Sequence, residues 1–540
     1  VDSRSRGRAL ESADPHRDTA DIGFAGAAEL AERLESGELT SLSLTEALIG
    51  RIEAIDRDPA GYRLSSIISL APDPEREAAE LDRRRRDGRV ASRLHGLGVL
   101  VKDNIDTTGP LSCSAGSLAL TATTPAVDAT VVQDLRAAGL LVLGKTNLSE
   151  WANFRSTHSS SGWSAIGGQT RNPHAFDRSP GGSSSGSAAA VAAGLVPFAL
   201  GTETDGSILC PAALCGVVGL KPTVGLLSRG GVVPISTSQD TVGPIARSVS
   251  DAAALLSVLA TGRVDPRDSA TQAGPTPRVL DYVDFCQSDG LRGARLGVPR
   301  QHYFGYHRET DRLIAGVLEA LARAGAEIVD PAEISTAGAL ASSEDELTVL
   351  CCEFKDALES YLRARPGLRD DCPRSLEELI AFNESHAGVE LALFGQELLE
   401  KAASSGGLAD PAYPRARERL LRLSRRDGLD ATLDADAYRS RGGAPLDALV
   451  VPTMGPAWLI DHVNGDAPTG AGYQVAAVAG YPAITVPVGA VAGLPVGLSF
   501  LGRPFSEPTL IRLAFGLEQL ISCELRPRWA ASAEIGGPVR

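Results

Sequence analysis

Two serines, Ser183 and Ser207, bracket a stretch from Gly181 to Leu220 that is poor in charge and crowded with Gly, Ser and Ala. Each is set beside glycine: Ser183 in Gly181-Gly182-Ser183-Ser184-Ser185-Gly186, and Ser207 in Thr204-Asp205-Gly206-Ser207. Glycine lets a backbone come close to a ligand, and such loops often carry catalytic hydroxyls and oxyanion-binding N–H groups. A serine hydroxyl attacks a carbonyl only when a base takes its proton. Histidine is the usual base, but none of the eight histidines sits in a glycine-framed motif, and His95 and His158 read as local hydrogen-bonding or loop residues. Lysine remains. The chain holds only five, at 102, 145, 221, 355 and 401, and within residues 94–105 Lys102 stands at the end of the apolar strand-like run. Burial there would lower its proton affinity toward that of a base, as in Ser-Lys variants of the catalytic triad. The structural alternative for Lys102 is a salt bridge to Asp103 or Asp106. Lys145 and Lys221 are expected to pair with carboxylates or cap turns.

Other chemistries fit less well. Gly182-Ser183-Ser184-Ser185-Gly186 spells G-x-S-x-G, but a nucleophile elbow needs a strand directly before it, and HAFDRSPGG is a turn sequence. No G-K-[ST] follows, so a phosphate loop is excluded as well. Ser184 and Ser185 are then hydrogen-bonding neighbours of Ser183. The eight cysteines form no C-x-x-C pair and have no histidine at metal-site spacing, so neither metal nor other cofactor is expected. Most should be buried thiols, with a disulfide left open.

A net charge of −15 argues against a nucleic-acid partner, and Arg83 to Arg86 read as a solvated helix end. The longest apolar run, Ala188 to Gly201, is broken by Gly194 and Pro197, so no membrane span is expected. No secretory signal is read in the chain as given, which begins at Val1. A cytoplasmic location is expected ahead of a secreted one.

The elements around these residues alternate. Residues 1–20 are polar and arginine-rich and are expected to be a frayed terminus. Two scaffold helices follow, the first carrying Leu30 and Leu34, the second opened by a capping box of Ser43 and Glu46. Strand character at 94–105 and 140–144, with a helix between, indicates an α/β layered fold. The small residues Ala188 to Gly194 suit a tightly packed helix. Residues 308–440 read as a charged helical insertion forming one wall of a cleft. Apolar strands return at 447–453, 483–489 and 497–505, so residues 21–540 are expected to form one domain with a catalytic core over 76–264 and a return to the sheet over 445–510. Trp151, Phe154 and Trp163 either line a pocket or pack a long loop onto the core.

The chain resembles the amidase signature family over nearly its whole length. The blocks that carry this are SLTEALIGRIEAID, LHGLGVLVKDNID, SAGSLAL, PGGSSSGSAAAVAAG, GTETDGSILCPAALCGVVGLKPTVG, DALVVPT and GLPVGLSFLGRPF. The resemblance implies an α/β/α fold with a central mixed sheet. It implies Ser207 as acylated nucleophile, Ser183 after a cis peptide bond as bridge, Lys102 as general base, and the backbone N–H groups of Thr204, Asp205, Gly206 and Ser207 as oxyanion hole. Gly98, Asp205 and Leu209 depart from the family pattern, which more often has proline, glycine and arginine there. With WANFRSTHSSSGWSAIGGQTRNP and PISTSQDT, these features are most similar to the bacterial peptide amidases, which remove the C-terminal amide of peptides. The expected partner is a small-molecule or peptide amide, acted on by a monomer or homodimer. A general aryl or fatty-acyl amidase and the amidase-like subunit of a tRNA-dependent amidotransferase are the alternatives.

Overall fold

Lys102 and the loop of Ser207 lie at the carboxyl ends of two neighbouring parallel strands, the place where open α/β sheets commonly hold their ligands. The computed structural model describes residues 22–111, 113–275, 278–365, 372–434 and 444–534. The terminus expected over 1–20 lies outside the described residues.

In chain order the strands are β1 Ile67–Leu70, β2 Gly98–Lys102, β3 Leu141–Thr146, β4 Trp163–Ser164, β5 Gly168–Gln169, β6 Phe198–Glu203, β7 Val218–Lys221, β8 Thr241–Ala246, β9 Arg295–Gly297, β10 Glu327–Val329, β11 Ala448–Pro452, β12 Ala483–Val491 and β13 Leu494–Leu501. Strands β4 and β5 form a small ribbon, and the other 11 make one mixed sheet in the order β1-β3-β2-β6-β8-β7-β12-β13-β11-β9-β10. Strand β2 runs parallel to β3 and β6 on either side, whereas β6, β8, β7, β12 and β13 pair antiparallel. Covered on both faces, β2 reads as a continuous apolar run rather than an alternating one. A Cβ at Gly98 would come 2.4 Å from Leu143 Cδ1, so the space a larger residue would need is filled by that leucine.

Helix Ser185–Ala192 is buried along its whole length. Its small residues let it press between the sheet and the loops above it: a Cβ on Gly186 would lie 2.2 Å from the Ser66 carbonyl oxygen and 2.6 Å from both N and O of Asn147. Helix Leu209–Cys215, also buried throughout, packs on β7, β12 and β13. Leu209 joins an apolar cluster with Val475 and Leu449. The scaffold helix expected to open with Ser43 and Glu46 begins at Ser41. Thr40 is its N-cap, paired reciprocally with Ser43.

The helical block expected over 308–440 divides. Its first helix, Arg308–Arg323, connects β9 to the parallel strand β10 and packs on β12, so it belongs to the sheet. The helices from Ala337 to Leu433 form a separate cover. The longest of these, Asp345–Ala364, inserts Phe354, Leu358 and Leu362 into an apolar cluster with Trp151 and Phe154. Phe154 and Phe354 meet with ring centroids 4.9 Å apart, and Trp163 meets Phe394 edge-on at 5.2 Å. These aromatics join core to cover.

Candidate active site

Lys102 is fully buried. Its Nζ donates to Ser183 Oγ at 2.7 Å, to Thr202 Oγ1 at 2.8 Å and to the Thr202 carbonyl at 3.3 Å. Burial drives its pKa from 10.5 down to about 7, against the opposing pull of the Asp240 and Glu203 carboxylates. No ion pair to Asp103 or Asp106 forms. Asp103 accepts from Ser114 and lies 3.8 Å from Lys145, while Asp106 accepts from Tyr361 Oη at 2.7 Å. Lys145 also donates to the Ile105 carbonyl, and Lys221 to the Pro222 carbonyl at 3.2 Å.

The Gly182–Ser183 peptide bond is cis. The Ser183 carbonyl accepts from Ser149 N at 3.1 Å, and the next amide, Ser184 N, donates to the Ser207 carbonyl at 3.1 Å. That second bond ties the two serine loops together. Ser184 Oγ bridges to Thr202, donating to its carbonyl at 3.0 Å and accepting from its N–H at 3.2 Å. Ser185 Oγ donates to the Gly181 carbonyl at 2.6 Å. Neither contacts Lys102, as the sequence suggests.

Below Ser207 the loop is pinned from two sides. The Glu203 carboxylate accepts from the N–H groups of Ile208 and Leu209 at 2.8 and 3.0 Å, capping the entry to helix Leu209–Cys215. Thr204 Oγ1 donates to Asp240 Oδ1 at 2.6 Å, and Asp240 in turn accepts from Ile235 N and Ser236 N. The N–H groups of Thr204, Asp205 and Ser207 have no acceptor among the described residues, whereas that of Gly206 turns to Glu203. Gly206 has φ +79°, and a Cβ there would collide with the Tyr473 ring at 2.2 Å. The Ser207 hydroxyl is likewise without a hydrogen-bond partner among the described residues.

Sequence reasoning did not single out Thr202, Asn147 or Glu353. Asn147 Nδ2 donates to Thr170 Oγ1 at 2.9 Å and to the Gly168 carbonyl at 3.0 Å, and its Oδ1 accepts from Ser164 Oγ, fixing the long loop over the site. Glu353, buried on the cover helix, accepts from Ser236, Ser238 and Tyr413, so PISTSQDT is one of the segments that fasten cover to core. All eight cysteines are free thiols. His95 bonds the Leu81 carbonyl, and no described helix is long and apolar enough to cross a membrane.

A large mixed sheet carrying a buried lysine against a serine, with a second serine on an adjoining loop, is a framework suited to an amide-hydrolysing enzyme, and the family match makes the chain one. Residues 43–511 match the Amidase family, and the chain belongs to it. It is similar to native peptide amidase from Stenotrophomonas maltophilia, with 52% identity, a TM-score of 0.86, and 94% of this chain and 99% of that one covered. An amidase family protein from Bacillus anthracis aligns at 32% identity and TM-score 0.82, over 95% of this chain and 94% of that one. A glutamyl-tRNA(Gln) amidotransferase subunit from Roseiflexus castenholzii is 36% identical over 92% of this chain and 96% of its own length.

Proposed function

We propose that the protein is a serine amidohydrolase that removes the C-terminal amide of peptides. The observation that carries the reading is the 2.7 Å contact of Lys102 Nζ with Ser183 Oγ, in a chain 52% identical to a peptide amidase. Near neutral pH a large share of Lys102 is uncharged and able to accept a proton. It takes one from Ser183 Oγ, Ser183 takes one from Ser207 Oγ, and Ser207 attacks the carboxamide carbon. The oxyanion is met by the N–H groups of Thr204, Asp205 and Ser207, with Gly206 contributing if its bond to Glu203 yields. The C–N bond breaks as the proton returns through Ser183 to the leaving nitrogen, and ammonia departs. Water then attacks the acyl-enzyme by the same relay, giving the free acid and restoring Ser207.

The test is ammonia release from an N-protected dipeptide amide, run beside an internal-peptide control and a simple aryl amide. Release from the peptide amide with internal bonds spared supports the reading. Activity confined to aryl or fatty-acyl amides would keep the relay and replace the substrate. The likeness to an amidotransferase component supports a second reading, in which glutamine is the only amide hydrolysed; ammonia release by the purified chain from amides other than glutamine counts against it.

A further inference from the structure

Glu346 reaches from the first turn of the cover helix Asp345–Ala364 to the nucleophile's loop. Its Oε1 accepts from Gln239 Nε2 at 3.1 Å and its Oε2 from Gln474 Nε2 at 3.0 Å. The same Gln239 amide donates its other hydrogen to the Thr204 carbonyl at 3.3 Å. Asp205 is the next residue of that loop, and the negative charge of Glu346 opposes its own. Its Oδ1 is shut away from solvent and has no hydrogen-bond partner among the described residues.

A carboxylate oxygen buried without a donor is costly. The surroundings supply little. Glu203 is a further negative group, the Tyr473 ring covers the neighbouring Gly206, and Lys221, the nearby cation, gives its hydrogen bond to Pro222. Burial, reinforced at Asp205 by the repulsion of Glu346 and Glu203, raises the proton affinity of both Asp205 and Glu346. Asp205 sits two positions before Ser207, on the loop that carries the second serine.

We propose that Asp205 and Glu346 form an anionic, hydrogen-bond-accepting wall of the active site that admits the uncharged carboxamide and its N–H donors and repels carboxylates. This rests on the peptide-amide reading above and deepens it. The wall selects amides of neutral or basic residues over acidic ones, and it expels the free-acid product. A group with N–H donors satisfies the orphaned Asp205 oxygen, whereas a carboxylate brings a further charge of the same sign beside the pair, and like charges in contact are strongly disfavoured.

The test uses the full-length enzyme with an N-protected dipeptide amide as substrate and three competitors that replace the amide: the free acid, the primary alcohol and the primary amine. In the parent enzyme inhibition should strengthen from acid to alcohol to amine, with the acid at least about tenfold weaker than the amine. Glu346→Gln and Asp205→Asn should each bring the acid's inhibition constant closer to the amine's, and should raise kcat/KM for amides bearing Asp or Glu beside the scissile group. An acid that inhibits the parent as tightly as the amine, or soluble variants with an unchanged ratio, would overturn the proposal. If both variants fail to fold, the order of the three competitors on the parent decides. If the parent releases no ammonia from any peptide amide, the functional reading has failed, and the competitors' order in a thermal-shift titration still upholds or overturns the charge preference.

Discussion

Replacing Lys102 with methionine separates two consequences of burying an amine. Lys102 makes three hydrogen bonds, yet burial holds its pKa at about 7 against 10.5 in an exposed side chain. At about 1.4 kcal/mol per pKa unit, keeping the charged form inside the fold costs on the order of 5 kcal/mol at and below pH 7. The cost fades as pH climbs toward 10.5, because only the unfolded chain then still holds the extra proton. Methionine has a similar length and no charge, and losing the hydrogen bonds costs roughly 1 kcal/mol each. Thr202 is not left bare, since its Oγ1 also accepts from Asn104 at 3.0 Å and its carbonyl from Ser184. Lys102→Met should therefore be more stable than the parent by about 2 kcal/mol at pH 7 and should lose that advantage by pH 10. Amide hydrolysis should fall by at least about a thousandfold for want of the base. Thermal melts at pH 7, 8.5 and 10 and ammonia release at pH 8 measure both. Activity within tenfold of the parent would refute the assignment of the base. A melting temperature lowered equally at pH 7 and pH 10 would refute the account of the buried charge.

In the parent, kcat/KM should rise roughly tenfold between pH 6 and pH 8 as Lys102 loses its proton, then level off, and a flat profile there would place the base elsewhere. Ser207→Ala should abolish formation of an acyl-enzyme, seen as loss of burst ammonia release, while Ser183→Ala should slow that step by about a hundredfold or more without blocking substrate binding. Gly186→Ala should destabilise the fold by several kcal/mol in urea, because its Cβ would meet backbone atoms of Ser66 and Asn147 that cannot rotate away. Glu353→Gln should cost about 1–3 kcal/mol and raise KM, measured by denaturation and steady-state kinetics, because four donors from two segments converge on its carboxylate.

Much of this centre is legible in the sequence because each part carries its own local signal. Lys102 stands out as one of five lysines in a chain that otherwise uses arginine, at the end of an apolar run that becomes β2. The serine loops declare themselves through their glycines, and the strands returning near 448, 483 and 497 through apolar runs. What stays hidden depends on pairing across the chain. Thr202 acquires its role only because β6 lies beside β2, and Glu346 and Asp205 meet across more than a hundred residues with nothing in either neighbourhood to announce it. Strand β10 is three residues long at a sheet edge, too short to interrupt a helical pattern, and so the helix before it reads as part of the cover. The apolar face of the second scaffold helix locates it, but Ser43 and Glu46 misplace its start, since Thr40 and Ser43 offer an equally good reciprocal cap three residues earlier.

The seam between β7 and β12 sets a schedule for biosynthesis. One side of β7 is paired early by β8, but on its other side residues 219–221 find their antiparallel neighbour only in residues 483–485, beyond the entire cover. While the ribosome is still translating the middle of the chain, the catalytic half of the sheet ends in an unpaired apolar edge at β7, the kind of edge that recruits other chains. A nascent chain must hold that edge until nearly the last strand emerges, so folding is governed by contacts distant in sequence and should be slow. A chain released before residue 483 would contain Lys102, Ser183 and Ser207 and still present an adhesive border, which makes truncated products candidates for chaperone capture rather than partial activity.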